Sequence, residues 1–427
     1  MLDIKFVREN PEKVKENIRK KFQDKKLGLV DEVVELDRRI RELKTNGDVL
    51  RQERNKTSDE IGLLFREKKI DEANEKKQLV VEINEKLIKI EADEIELNEK
   101  LKEKMMVIPQ IIDDSVPIGK DDSENVEIER FGEPIVPEYE IPYHADICEA
   151  LQGLDKVSAG RTSGNGFYYL MGDIARLHSA MLSYARDFMI DKGFKYCVPP
   201  FMIRSDVVNG VMSFEEMGAM MYKIQDEDLY LIGTSEHSMI GKFKGQIIKE
   251  EDLPIALTSY SPCFRKEVGA HGLEERGLYR VHQFEKQEMV VLCKKEDAMD
   301  WYNKMWSYTV EFFRSLDVPV RTLECCSGDL ADLKVKSCDV EAWSPRQKKY
   351  FEVGSCSTLG DAQARRLGIR AKGENGNYLL STLNNTVVAS PRGMIAVIEN
   401  NYNEDGSINI PKALQPYMGG KEVIKLK

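Results

Sequence analysis

The centre of the chain, residues 257–291, has the sequence LTSYSPCFRKEVGAHGLEERGLYRVHQFEKQEMVV. Two strand-like runs flank a loop rich in glycine and charge, Gly269 to Gly277, and this arrangement predicts a long β-hairpin. Because strand side chains alternate between the two faces of a sheet, Arg265 and Glu267 share a face of the first strand. The same alternation places five residues on one face of the second strand: Arg280, His282, Phe284, Lys286 and Glu288.

This predicted sheet face suits an anionic, planar ligand that carries an amine, such as a nucleotide joined to an amino acid. Arginine forks match phosphate or carboxylate groups, and a carboxylate such as Glu288 accepts hydrogen bonds from an amine or a hydroxyl. Phe284 offers a flat ring on which a base can stack. A solvated antiparallel sheet face with paired charges fits the alternation equally well, so the pattern alone leaves both interpretations open.

The composition favours a soluble protein of two or three domains with ample material for a core. The 427 residues include 32% charged residues, and the mean hydropathy is −0.44. No apolar run is long enough to span a bilayer, and the N-terminus, MLDIKFVREN, lacks the apolar segment of a signal peptide. We therefore expect a cytoplasmic location and no membrane partner.

Eight cysteines are scattered along the chain without a CxxC pair, which is typical of reduced, mostly buried thiols. A zinc site built from Cys325, Cys326 or Cys356 has no supporting spacing, so no structural zinc is expected. The net charge of −11 argues against a general nucleic-acid binder. Residues 1–100 are nearly neutral, with a basic cluster at 13–26 that can meet a phosphate backbone.

The N-terminal hundred residues predict two long helices. Apolar residues recur at alternating steps of four and three in two runs without proline, which is the pattern of an a/d seam. Two such runs joined by a polar tip, around Glu67 to Asn74, predict an antiparallel helical hairpin that projects roughly 50 Å. An ordinary helical subdomain or a homodimerising coiled coil fits the same pattern. The seam residues are Leu29, Val33, Leu36, Ile40, Leu43, Leu50, Ile61 and Leu64, then Val80, Ile83, Leu87, Ile90, Leu97 and Leu101.

Between the hairpin and the central stretch the chain changes character twice. The segment from Ile108 to Pro142 is rich in proline, glycine and acids, and predicts a linker leading into edge strands. Residues 173–192 then predict an amphipathic helix with Asp173 as its N-cap, followed by a strand that ends at Pro200. Further on, hydrophobic runs that alternate with turns favour a mostly antiparallel sheet.

The sequence Ser390-Pro391-Arg392 opens another predicted helix, with Ser390 as N-cap and Pro391 at the first helical position. A cation in the first turn opposes the helix macrodipole, at a cost of roughly 0.3–1 kcal/mol. An anion should therefore compensate Arg392. A bound phosphate held at the helix N-terminus is one solution, and a structural carboxylate is the other.

Four segments together resemble the class II aminoacyl-tRNA synthetases in their seryl-tRNA synthetase form. FRKE followed by RVHQFEKQE resembles motif 2, within residues 257–291, and GTSEH at 233–237 resembles the amino-acid loop. EVGSCS at 352–357 resembles the ATP-metal strand, and LNNTVVASPRGMIAVIEN at 383–400 resembles motif 3, at about 378–400. The helix and strand at about 173–200 resemble motif 1, which forms the dimer interface in the family.

The resemblance implies an α+β fold, with a class II antiparallel sheet and flanking helices preceded by the coiled-coil hairpin. It implies a tRNA-binding domain at 1–108, a linker with edge strands at 109–165 and a catalytic domain at 166–427. The arm would bind tRNA-Ser, the loop Gly269 to Arg276 would lie near the acceptor end, and the enzyme would be a homodimer.

The resemblance also implies the site residues, with Arg265, Glu288 and Arg392 as the catalytic set. Mg²⁺ would be held by Glu352 and Ser355. Thr386 stands where many members of the family have serine, and it keeps the hydroxyl. The serine pocket would be formed by Thr234, Glu236, Arg265, Glu288, Asn384 and Thr386. The ATP site would be formed by Arg265, Lys266, Glu267, Arg280, Val281, Phe284, Glu352, Val353, Gly354, Ser355 and Arg392.

The implied reaction is the ATP-dependent activation of L-serine to seryl-adenylate, followed by transfer to the 3′ end of tRNA-Ser, and of tRNA-Sec where that exists. A synthetase-like ligase that loads an amino acid onto a carrier protein is an alternative, although such relatives lack a long coiled-coil arm. A non-catalytic RNA-binding paralogue is the other alternative. The sequence contains no HxGH, KMSKS-like or P-loop motif, which excludes class I synthetases and P-loop enzymes.

Overall fold

A computed structural model describes residues 1–267 and 277–426, apart from the side chains of Phe214 and Glu215. The chain divides into two compact units, Met1–Ile111 and Ile112–Lys427. The further division of the second unit near residue 165 stays a prediction. The loop Gly269 to Arg276, assigned from the sequence to the acceptor end of tRNA, lies outside the described residues.

The N-terminal unit is helical and contains the predicted hairpin. Its two long helices have 40 and 38 residues, or about 60 Å each at 1.5 Å per residue. They pack antiparallel, as the ion pair between Arg51 Nη2 and Glu91 Oε1 at 3.4 Å illustrates. The antiparallel hairpin is therefore confirmed. The helices are α1 (Ile4–Glu9), α2 (Pro11–Lys20), α3 (Leu27–Arg66) and α4 (Ile70–Val107).

The turn between the long helices is shorter than the predicted tip, Glu67 to Asn74. It spans residues 67–69, because α4 already begins at Ile70. Asp71 and Glu72 lie in the first turn of α4, where acidic side chains stabilise a helix N-terminus. A polar stretch of this kind was consistent with a loop, but its acids favour the start of a helix.

The hairpin seam combines buried aliphatic residues with polar ones. Val33, Ile40 and Ile83 are buried as predicted, and Asp37 is buried beside them. The carboxylate of Asp37 accepts hydrogen bonds from Arg8 Nη1 at 3.0 Å and from Arg41 Nε at 2.9 Å. A buried charge is tolerated when it is paired in this way, and the contact with Arg8 fixes α1 against α3.

The second unit is built on a mostly antiparallel sheet with helices on both faces. In the described residues its helices are α5 (His144–Ala150), α6 (Lys156–Ser163), α7 (Gly172–Asp191), α8 (Ser205–Val211), α9 (Phe214–Met220), α10 (Ser235–Gly241), α11 (Ala298–Ser315), α12 (Ala362–Leu367) and α13 (Ser390–Asn400). Its strands are β1 (Val126–Phe131), β2 (Leu154–Asp155), β3 (Tyr169–Leu170), β4 (Lys195–Tyr196), β5 (Met202–Ile203), β6 (Tyr230–Leu231), β7 (Ile247–Lys249), β8 (Ile255–Phe264), β9 (Gln283–Cys293), β10 (Val320–Glu324), β11 (Lys336–Ser344), β12 (Lys349–Thr358), β13 (Arg370–Gly373), β14 (Gly376–Leu379), β15 (Ser381–Ala389), β16 (Ile408–Asn409) and β17 (Val423–Ile424).

The main sheet has eight strands among the described residues, in the order β1-β10-β11-β12-β15-β9-β8-β4. Every neighbouring pair is antiparallel except β4 and β8. The predicted hairpin strands are β8 and β9, and their register pairs Ser259 with Glu288. Alternation along β9 sends Met289 into the core beneath α7 and α11, while Glu288 faces the opposite side. The predicted α+β class with an antiparallel sheet is confirmed.

Several predicted local features differ from the structure. Asp173 lies inside the first turn of α7 instead of capping it, and its carboxylate pairs with Lys421 Nζ at 2.6 Å. Ser390 is not an N-cap either, because α13 begins at Ser390 and the preceding Ala389 is the capping position. The hydroxyl of Ser390 instead accepts a hydrogen bond from the backbone N–H of Glu285 at 3.1 Å. In both cases a tertiary contact outweighs the local capping preference.

Among the described residues, no helix combines the length and the apolar character that a membrane span requires.

Candidate active site

A cavity of about 330 Å³ opens on the sheet face that carries Glu288. Strands β9, β12 and β15 form its floor, and residues of α10 and the start of α13 form its walls. Every site residue predicted from the sequence lines this cavity except Lys266, whose backbone N–H donates to Met220 O at 3.0 Å. The predicted residues that line it are Thr234, Glu236, Arg265, Glu267, Arg280, Val281, Phe284, Glu288, Glu352, Val353, Gly354, Ser355, Asn384, Thr386 and Arg392.

Glu288 is the central polar group on the cavity floor and is almost fully buried. The register of β9 and β15 places Thr386 directly opposite, and its hydroxyl donates to Glu288 Oε1 at 3.0 Å. Lys286, two residues earlier on the same strand face, forms an ion pair with the same carboxylate. A small ligand that reaches this floor therefore meets a carboxylate, a hydroxyl and an ammonium group at one point.

Glu236 forms the wall beside this floor. Thr234 is the N-cap of α10, as predicted, and its hydroxyl accepts a hydrogen bond from the backbone N–H of Glu236 at 3.4 Å. Burial raises the pKa of the Glu236 carboxyl to about 7, and the neighbouring Glu288 adds to that shift. A carboxyl group whose charge is poorly solvated provides a strong site for a cation such as an ammonium group.

Arg265 and Phe284 stand together above the floor. The guanidinium of Arg265 lies 5.3 Å from the ring centroid of Phe284, within the range of a cation–π contact. Its Nε donates to Gly233 O at 3.2 Å, which fixes the side chain against the loop that precedes α10. An arginine held over a ring can clamp an anion while the ring supports a planar group.

Arg392, at the start of α13, pairs with Glu352 across the cavity. Its Nη1 lies 2.7 Å from Glu352 Oε2, and the guanidinium lies 4.6 Å from the ring centroid of Tyr279. Burial lowers the pKa of Arg392, but Glu352 and Tyr279 outweigh that effect and raise it. Glu352 is therefore a carboxylate that compensates the arginine in the first turn of α13.

Two family models match the chain and between them cover most of it. The model of the seryl-tRNA synthetase N-terminal domain matches residues 1–112, and that of the class II tRNA synthetase core domain (G, H, P, S and T) matches residues 221–401. The serine–tRNA ligase of Methanoculleus marisnigri is 39% identical over 430 residues, which cover 99% of this chain and all of the relative. The chain belongs to the seryl-tRNA synthetase family.

Solved structures agree with this membership. The crystal structure of the seryl-tRNA synthetase from Pyrococcus horikoshii complexed with ATP is similar, with a TM-score of 0.95, 38% identity and complete coverage of both chains. The cytoplasmic serine–tRNA ligase of Naegleria fowleri in complex with AMP gives a TM-score of 0.89 at 30% identity, over 100% of this chain and 99% of that one. Both relatives therefore share the fold of the two units.

In this seryl-tRNA synthetase family member, a β-bulge brings the two predicted metal ligands to one face. The register of β11 and β12 shifts by one residue at Val353, so that Glu352 and Ser355 both face the cavity. Asp339 lies opposite Ser355, and burial together with Glu352 raises its pKa to about 6. A set of carboxylate and hydroxyl oxygens fits Mg²⁺, which prefers hard oxygen ligands.

Of the three cysteines weighed for zinc, Cys325 lies near other ligand types. Its Sγ and carboxylate oxygens of Asp329 and Asp339 fall within 4.8 Å of one another. Burial and Asp339 raise the pKa of the Cys325 thiol, which disfavours the thiolate that zinc requires. The expectation of no structural zinc stays a prediction.

Some cavity residues of this family member were missed by the sequence reasoning. Lys286 had a usable signal, because strand alternation placed it on the same face as Phe284 and Glu288. His237 lies on α10, whose seven residues are too few for the helical period to define a face, and Tyr279 and Lys334 lie in irregular segments without a period. Burial, with Arg265 and Lys286 nearby, lowers the pKa of His237 to about 3, so its imidazole is neutral.

Proposed function

We propose that this chain activates L-serine with ATP to form seryl-adenylate and transfers the seryl group to the 3′ end of tRNA-Ser. The observation that carries the proposal is the shared cavity. Two arginines that can bind phosphate groups and the ring of Phe284 line this cavity. A small polar pocket lines it as well. These residues are Arg265, Arg392 and Phe284, and for the pocket Glu236, Glu288 and Thr386. Membership of the seryl-tRNA synthetase family supports the choice of substrates.

In the first step the serine carboxylate attacks the α-phosphorus of ATP, and pyrophosphate leaves. Arg265 bridges the α-phosphate and the serine carboxylate, while Phe284 stacks on the adenine ring and Glu267 accepts from its amino group. Arg392 exchanges its contact with Glu352 for the distal phosphates. Because no covalent enzyme intermediate is needed, catalysis comes from positioning and charge neutralisation.

The serine pocket is proposed to recognise its ligand by polar pairing. Glu236 and Thr234 receive the ammonium group, and Glu288, Thr386 and Asn384 bind the hydroxyl. A pocket of this kind rejects alanine because its own buried groups would lose their partners. Threonine keeps the hydroxyl, so only steric fit excludes it and the discrimination against threonine is weaker.

We further propose that Glu352 and Ser355 hold Mg²⁺ when ATP is present. The oxygen donor set on the β12 bulge supports this assignment. The ion would supply positive charge against the phosphate oxygens. Arg265 and Arg392 then orient the same phosphates from the other sides of the cavity.

In the second step a terminal ribose hydroxyl of the tRNA attacks the activated carbonyl group. We propose that the hairpin of α3 and α4 binds tRNA-Ser, and tRNA-Sec where that exists, through its rigid length. The match of residues 1–112 to the family's N-terminal domain supports this role. The long hairpin also disfavours a carrier-protein ligase. The presence of the predicted catalytic residues Arg265, Glu288 and Arg392 in one cavity disfavours a non-catalytic paralogue.

A homodimer that uses the segment of motif 1 is also proposed. Ile190 at the end of α7, Val198 and Met202 are large apolar side chains exposed in the single chain. A cytoplasmic location stays a prediction, in line with the name of the Naegleria relative.

ATP–pyrophosphate exchange by the purified chain, with each amino acid in turn, tests the proposed function. We expect exchange that depends on serine and is weak or absent with alanine. Aminoacylation of purified tRNA-Ser then separates a synthetase from a carrier-protein ligase. Absence of serine-dependent exchange by the folded protein would refute the proposal.

A further inference from the structure

A buried amide lies directly behind the carboxylate of Glu236. Gln363, on α12, is fully inaccessible to solvent, as is Thr382 on β15. Gln363 Nε2 donates to Glu236 Oε1 at 2.8 Å and to Val211 O at 3.2 Å. Thr382 Oγ1 donates to Gln363 Oε1 at 2.7 Å. Both ends of the amide therefore form hydrogen bonds, and its nitrogen donates to Glu236 in the cavity wall.

The orientation of this amide is fixed by its surroundings. If the amide were reversed, its oxygen would face Val211 O and the Glu236 carboxylate, which are both acceptors. An acceptor placed against acceptors in a dry site loses two hydrogen bonds and leaves buried groups unsatisfied. The two acceptors therefore fix the observed orientation, and the hydroxyl of Thr382, which can donate or accept, donates to the oxygen end.

Glu236 depends on this contact more than a solvated carboxylate would. Burial and Glu288 raise the pKa of Glu236, whereas the hydrogen bond from Gln363 and the charges of Lys286 and Lys334 lower it. Lys286 is already paired with Glu288. In the part of the chain that the structure describes, Gln363 provides the side-chain hydrogen bond to the Glu236 carboxylate.

We propose that Gln363 is a positioning residue that holds the Glu236 carboxylate, ionised and correctly turned, for the α-ammonium group of serine, with Thr382 locking the amide. This inference rests on the proposed function and deepens it. Gln363 lies outside the four segments that carry the family resemblance, and it does not line the cavity. It acts through Glu236 and has no contact with the substrate.

The test compares Gln363→Met with the unchanged protein in serine-dependent ATP–pyrophosphate exchange between pH 6 and 8.5. Methionine keeps the length and approximate volume but cannot donate. We expect the KM for serine to rise about tenfold to a hundredfold at neutral pH, as for the loss of a hydrogen bond to a charge. The KM for ATP should stay within about twofold. The rising limb of kcat/KM for serine should move to higher pH, so that part of the loss is recovered at pH 8.5.

A matched pair at Thr382 provides the control and does not change the amide itself. Thr382→Ser keeps the hydroxyl and should leave the serine KM unchanged. Thr382→Val removes it and should raise the serine KM in the same direction as Gln363→Met, with the same shift of the pH profile. If Gln363→Met fails to fold, the Thr382 pair decides the question alone.

An unchanged serine KM in the folded variants would overturn the inference, and so would equal losses for serine and ATP without a pH shift. Failure of the proposed function has a different signature. In that case the unchanged protein would itself show no serine-dependent exchange, whatever residue stands at position 363.

Discussion

At the scale of single residues, we propose that Glu288 and Glu236 bind different groups of the small amino acid. Glu288 is buried on the floor with Thr386 and Lys286 as partners, and Glu236 stands on the wall with a raised pKa. Their different surroundings suit different ligand groups. A carboxylate already paired with a lysine accepts a neutral hydroxyl, whereas the buried Glu236 carboxylate, which receives its hydrogen bond from the neutral amide of Gln363, favours an ammonium group.

Replacement of Glu288 by alanine should affect serine far more than ATP. The change removes the proposed acceptor for the serine hydroxyl and leaves Lys286 buried without the carboxylate it pairs with, which also destabilises the fold. We expect kcat/KM for serine to fall by about 10² to 10³, equivalent to about 3–4 kcal/mol, with ATP binding changed only a little. Pyrophosphate exchange at varied serine and varied ATP measures both.

Thr386→Ser is the matched control for Glu288→Ala, because it keeps the hydroxyl that donates to Glu288. Its serine KM should stay close to that of the unchanged protein. Equal losses for serine and ATP in Glu288→Ala would refute the assignment of Glu288 to the serine hydroxyl.

The raised pKa of Glu236 gives a pH dependence with a definite sign. Serine binding requires the ionised carboxylate, so kcat/KM for serine should rise with pH through about 7. The stability of the ligand-free fold should move the other way. Neutral Glu236 contributes to the free energy of unfolding. This contribution is complete below about pH 4.5, the ordinary pKa of a glutamate, and is lost as the pH rises through the raised pKa of about 7.

Thermal unfolding with and without serine checks this prediction. Serine should raise Tm more at pH 8 than at pH 6, because at pH 8 binding no longer has to remove a proton from Glu236. A serine-induced shift in Tm that is the same at both values would contradict it.

At the scale of elements, β12 shows what the sequence could and could not predict. The strand itself and its resemblance to the ATP-metal strand are visible in Glu352 to Ser357. The bulge at Val353 is not, because a one-residue register shift leaves no periodic signal. Without it, Glu352 and Ser355 would face opposite sides of the sheet.

The same limit explains the errors in helix caps. Ser390 and Asp173 have the residue types and positions of N-caps, and local preference predicts that role. Their side chains instead contact Glu285 and Lys421, which are distant in sequence. The long hairpin and the β8–β9 pair were predictable because heptad spacing and strand alternation are local and repeat many times. The direction of loop residues such as Tyr279 could not be predicted, because a loop has no repeating local spacing.

The hairpin of α3 and α4 should be needed for tRNA charging and dispensable for amino acid activation. Residues 54–83 form its outer part and can be replaced by a short glycine-rich turn that joins the facing helices. We expect pyrophosphate exchange within about twofold of the full chain, since the cavity lies in the other unit. Aminoacylation of tRNA-Ser should fall by at least about a hundredfold, because the arm is proposed to supply the extended contact with the phosphate backbone. Undiminished aminoacylation would contradict the role of the arm.

At the scale of the whole molecule, the exposed apolar residues of the motif 1 segment predict a dimer. Val198 is 69% exposed and Ile190 is 44% exposed in the single chain. A charge placed at the centre of such an interface is costly unless it is paired. Val198→Asp should therefore convert a dimer of about twice the chain mass to monomer in sedimentation velocity.

Val49→Asp is the control for this prediction, because Val49 is 57% exposed on α3 in the other unit. This variant should remain dimeric. A monomeric parent protein, or a dimer unaffected by Val198→Asp, would contradict the proposed interface.

We propose that one cavity holds the nucleotide and serine together. A crystal structure with the non-hydrolysable analogue seryl-sulfamoyl-adenosine tests it most directly. We predict adenine on Phe284, the sulfamoyl group against Arg265, the serine ammonium at Glu236 and the serine hydroxyl at Glu288. An analogue bound elsewhere, or bound in this cavity with its seryl group away from Glu236 and Glu288, would contradict the account.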